Sequence, residues 1–154
     1  MKKVLIAYFS ASGKTETMAE YIAEGIRFNG YQAVVKKMGD LKNAVDLEGY
    51  DGYILGSPTF SLDIPKPVKT FLDTAEKINL SGKLAGAFGM YRHDVSYHHD
   101  DHAPALILDI LQDKHKMKLF ELGPFSLRED IMVSGDGIKA CHDYGRVFGE
   151  KLTM

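Results

Sequence analysis

The chain is 154 residues long, 45% hydrophobic and 26% charged, which suits a soluble globular domain with a substantial core. A net charge of −2 offers no basic face to nucleic acid, and no apolar run is long enough to cross a bilayer. Cys141 is the only cysteine, which excludes an internal disulfide, and Met1-Lys2-Lys3 enters a strand with no signal-peptide cleavage site, so a reducing cytoplasm is the expected setting.

Strand one is expected over residues 3–9 and helix one over 14–29, with Met18, Ala19, Ile22, Ala23 and Ile26 on its buried face and Asn29-Gly30 at its end. Between them a buried strand breaks into small hydroxyl residues. Ser10, Ser12 and Thr15 surround Gly13, and the turn opens the helix. The first N–H groups of a helix have no partner within it and carry partial positive charge. Hydroxyls and free N–H groups meeting there make a phosphate cradle. Gly13-Lys14-Thr15 imitates the end of an ATP-binding P-loop, but the glycine that motif needs at position 8 is Tyr8. No G-x-G-x-x-G follows the strand either. The loop is therefore sized for one phosphate monoester. Ser10 or Ser12 can serve as a plain helix cap, yet capping takes one hydroxyl, and three around a glycine favour a ligand.

Strand two covers 31–37, and 40–50 is a connection with a short helical turn. Strand three, 52–56, ends without the Asp that would hold magnesium. Pro65 and Pro67 mark a helix start, and Val68, Phe71, Leu72 and Ala75 form its apolar face. Strand four is 84–89; a polar stretch, 90–101, precedes a helix over 103–115. Strand five is expected over 118–122, followed by an irregular connection through 136. The last helix, 137–152, carries Ile138, Cys141, Tyr144, Gly145 and Phe148 on one face, with Cys141 as packing rather than chemistry.

Such β-α alternation predicts one domain over 1–154, a parallel sheet with helices on both faces. Ligands of such sheets bind beyond the carboxyl ends of the strands. That brings together the loops 10–15, 57–64 and 90–101. Phe60 in the second loop either tucks beneath it as a satellite of the core or offers its face to a flat aromatic ligand. Tyr91 and Tyr97 can supply the opposite face. A planar ring on a short phosphate tether is the implied ligand.

The hydroxyl-x-hydroxyl-Gly-x-Thr turn, with Gly56-Ser57-Pro58-Thr59-Phe60 and Gly89-Met90-Tyr91, resembles a flavodoxin of the short-chain kind over nearly the whole chain. The resemblance implies an α/β fold, a three-layer α/β/α sandwich on a five-stranded parallel sheet of order 2-1-3-4-5, and FMN as ligand. By the same resemblance Ser10, Ala11, Ser12, Gly13, Lys14 and Thr15 hold the phosphate. Pro58, Thr59, Phe60 and Ser61 lie on one side of the isoalloxazine, and Gly89, Met90, Tyr91, Arg92, His93 and Tyr97 line the other, with Tyr97 the first choice for stacking and Tyr91 the second. The implied work is electron carriage between redox partner proteins, a reductase and an acceptor. The alternative is an FMN-dependent oxidoreductase reducing a quinone or similar acceptor. Neither involves nucleic acid or membrane. Lys14 stands where the family usually has Asn, and Ser61 where many members have a glycine that reaches positive φ cheaply. The near-neutral charge weakens docking to a basic partner, and Arg92 with His93 would raise the flavin potential.

His93, His98, His99, His102 and His115 cluster in sequence, with Asp94, Asp100 and Asp101 interleaved. His98 and His102 have a spacing that can chelate a metal from one helical face, but no defined ligand set accompanies them. A solvated, pH-responsive loop is expected, with Asp100 or Asp101 capping the next helix and His93 or His98 able to donate to the flavin or a substrate.

Overall fold

A computed structural model describes residues 2–10, 13–58, 64–91, 103–132 and 134–152. In chain order the elements are β1 (Lys3–Tyr8), α1 (Lys14–Arg27), β2 (Gln32–Lys37), two 3-10 turns, β3 (Gly52–Gly56), α2 (Lys66–Ala75), β4 (Leu84–Tyr91), α3 (Ala103–Asp113), β5 (Lys118–Leu119), β6 (Phe125–Arg128), α4 (Glu129–Met132) and α5 (Gly135–Lys151). All paired strands run parallel in the order β2-β1-β3-β4-β5, with β6 also on β4. This is the expected order.

The central strands are apolar on both faces because helices cover both. Val4, Ile6 and Tyr8 of β1 pack with Met18, Ile22 and Ile26 of α1 and with Cys141, Tyr144 and Phe148 of α5. Leu5 and Ala7, the alternate residues, pack with Val68, Phe71 and Leu72 of α2 and Ile107 and Leu111 of α3. Each fully buried Leu or Ile contributes roughly 1.5–3 kcal/mol. Pro65 and Pro67 lie at the start of α2, where the missing N–H groups have no helical partner to lose. Cys141 is wholly buried and burial pushes its thiol up to about 12, so it stays protonated within the core.

The fifth strand departs from expectation. It stops at Leu119 instead of continuing to residue 122. The Gly123 N–H turns back to the Phe120 carbonyl at 2.9 Å, and Pro124 has no N–H for a ladder. The chain then returns to the same edge as β6, facing Phe88–Tyr91 of β4, whereas β5 faces Leu84 and Ala85. The stretch expected to be irregular thus contains a strand and the short helix α4.

The interruption leaves Gly86 and Ala87 without strand partners on that side among the described residues. Tyr144 of α5 fills the gap. Its hydroxyl accepts from the Ala87 N–H at 3.1 Å and lies 3.4 Å from the Ala87 carbonyl. An unpaired N–H buried there would cost about 1–3 kcal/mol.

His115 follows α3 and sits before β5, at the amino ends of the strands. It is buried, and its Nε2 has no partner among the described residues. Burial lowers its pKa, Glu76 pulls the other way and Lys114 adds to the lowering, so the ring is neutral near pH 7. Residues 93–102, which hold the other members of the sequence cluster, lie outside the described residues.

Candidate functional site

The carboxyl ends of β1, β3 and β4 converge on one edge of the sheet. At the end of β1, the Ser10 hydroxyl accepts from the Gly13 N–H at 2.8 Å and closes the turn. Gly13 has φ 86°, a left-handed conformation that a side chain would strain, and it is the residue from which α1 starts. Its carbonyl accepts from the N–H and hydroxyl of Thr17, at 3.2 and 3.1 Å. Among the described residues, nothing accepts from the N–H groups of Lys14, Thr15 or Glu16. Thr15 is 2% exposed, and no described residue bonds its hydroxyl. The start of α1 is therefore a set of donors without acceptors among the described residues, beside open space at Gly13. That arrangement fits a phosphate.

The carboxyl ends of β1, β3 and β4 are drawn together behind this turn. The Phe9 N–H donates to the Gly56 carbonyl at 3.0 Å, and the Ser57 N–H to the Phe88 carbonyl at 3.1 Å. A Cβ on Gly89 would lie 2.1 Å from the Ser57 carbonyl oxygen and 3.1 Å from Cγ of Pro104, so only glycine lets β4 pass this close. The Ser57 hydroxyl donates to the Pro58 carbonyl at 2.7 Å, fixing the exit from β3.

Charges surround the turn. The Lys14 ammonium is bonded to Glu129 of α4. The Tyr8 hydroxyl donates to Glu16 in the first turn of α1. Burial first, then the bond to Glu16 and the nearby carboxylates, push the Tyr8 pKa upward, so it remains a donor. A hollow of about 340 Å³ opens between Ser10, Gly13, Glu16, Lys37 and Asp40.

Ser10, Gly13, Lys14, Thr15, Pro58, Gly89 and Tyr91 thus all stand at the carboxyl edge of the sheet. Met90 is there too, but its side chain is buried in the core between the sheet and α1 and α5, which leaves its backbone for a ligand. Ala11, Ser12, Thr59, Phe60, Ser61, Arg92, His93 and Tyr97 lie outside the described residues, as do His98, His99, His102, Asp94, Asp100 and Asp101. Among the described residues, no group of three His, Cys, Asp or Glu side chains could hold a metal ion, and no helix is long and apolar enough to cross a membrane. The residue missed from sequence is Glu129. The alternation Phe125-Ser126-Leu127-Arg128 after Pro124 is the signal that would have exposed a strand leading to it.

A family profile described as "Flavodoxin" matches residues 6–101. The chain is 36% identical over 86 residues to a flavodoxin of Clostridium saccharobutylicum, a match covering 56% of this chain and 54% of that relative, or about half of its length. It is 26% identical over 180 residues to an NAD(P)H dehydrogenase (quinone) of Gluconacetobacter diazotrophicus, covering 95% of this chain and 90% of that one. The crystal structure of oxidised Flavodoxin 2 from Bacillus cereus superposes with a TM-score of 0.82 at 29% identity, over 97% of this chain and 99% of the other.

Proposed function

The chain belongs to the flavodoxin family, and on that premise we propose that it is an FMN-binding electron carrier exchanging electrons with separate protein partners. FMN supplies the redox chemistry, while the protein sets its position and access. The observation that carries this reading is the start of α1, where Thr15 and the N–H groups of residues 14–16 offer donors with no acceptor among the described residues. Ser10 acts by holding the Gly13 turn. Thr59 and Phe60 on one side, and Gly89 and Tyr91 with Arg92, His93 and Tyr97 on the other, are the proposed walls for the ring. The whole chain, 1–154, works as one domain. Its sole cysteine, buried and protonated, suits a cytoplasmic setting.

A second reading is reduction of a small acceptor such as a quinone by reduced nicotinamide, favoured by the similarity to the Gluconacetobacter dehydrogenase. Steady-state assays of the FMN-loaded protein with a quinone and reduced nicotinamide separate the two. A carrier turns over below about 1 per second until a reductase is added, whereas enzymes commonly run at 1–1000 per second. Sustained turnover in the enzymatic range without another protein would sink the carrier reading.

A further inference from the structure

Lys14 is the first residue of α1, and it stands in the phosphate turn. Its ammonium is bonded to Glu129, 115 positions further on and the first residue of α4. The two side chains are 39% and 26% exposed, so water screens the pair less than it screens one on an open surface. The pair ties the turn to the segment that follows β6.

Its electrostatic effect is a cancellation. The start of α1 contributes partial positive charge, and Lys14 would add a full one. Glu129 neutralises that ammonium, and Glu16 in the same helical turn is a further carboxylate. A phosphate arriving at this turn must share Lys14 with a carboxylate already bonded to it. Riboflavin, with no phosphate, does not meet this competition.

We infer that Glu129 is a specificity-determining residue: by competing for Lys14 it limits the preference of the turn for phosphorylated over unphosphorylated flavin. This rests on the reading that the phosphate sits at residues 10–15. Glu129 acts through Lys14 and is a positioning residue, not a catalytic one.

The test measures dissociation constants of FMN and riboflavin by flavin fluorescence, at low and high salt, for the parent, Glu129→Gln and Thr15→Ala. Glu129→Gln should tighten FMN roughly five- to tenfold at low salt, leave riboflavin within about twofold, and lose part of that gain at high salt. Adding Lys14→Met to Glu129→Gln should return the FMN-to-riboflavin ratio toward the parent value. An unchanged or smaller ratio in Glu129→Gln, or a gain that survives Lys14→Met, overturns the inference. Thr15→Ala reads the underlying site separately: a ratio that falls there while Glu129→Gln does nothing condemns the role of Glu129 alone, whereas a ratio unmoved by Thr15→Ala condemns the phosphate site itself.

Discussion

Thr15→Ala weakens FMN by roughly ten- to a hundredfold and leaves riboflavin within about twofold, because a hydrogen bond to a charged group contributes about 1.5–3 kcal/mol. Thr15 is buried at the start of α1, and among the described residues neither its hydroxyl nor the N–H groups beside it have a partner. On the proposed reading the lost contact is to phosphate, so only the phosphorylated ligand feels it. Fluorescence titration with each flavin checks this. Equal losses for both would place the phosphate elsewhere.

Gly89→Ala acts differently, on the scaffold behind the turn. The added Cβ would meet the Ser57 carbonyl oxygen at 2.1 Å, far inside any tolerated contact, with Pro104 on its other side at 3.1 Å. Neither neighbour is the flexible end of a side chain, so the exit of β3 must move away from β4. Overpacking of this kind costs about 1–3 kcal/mol or more. Urea unfolding should show that loss. FMN and riboflavin should weaken together, since the displaced segment leads into the proposed wall for the ring and not into the phosphate turn. Parent-like stability would mean that the two strands do not pass this close.

Much of this architecture is written locally. The helical spacing of Met18, Ala19, Ile22, Ala23 and Ile26 marks the buried face of α1, and all five are fully buried. The strand ends marked by hydroxyls and glycine lie at the carboxyl edge of the sheet for the same reason: tight turns and close approaches need those residues. Three features were not local. The split edge strand depends on where Gly123 and Pro124 break the ladder, and Tyr144 repairs that break from a distant helix. His115 looks clustered with its neighbours in sequence, but an 11-residue helix intervenes. Such a helix spans about 16 Å. The bond from Lys14 to Glu129 joins residues 115 apart, and no window of sequence contains both.

The most direct measurement is a pair of amide-resolved ¹⁵N–¹H spectra, one taken with saturating FMN and one with saturating riboflavin. If residues 10–15 grip the phosphate, the largest differences between the two spectra fall on the amides of Gly13, Lys14 and Thr15. If those three amides respond alike to both flavins while another segment tells them apart, the phosphate is held there instead, and the account of this turn is wrong.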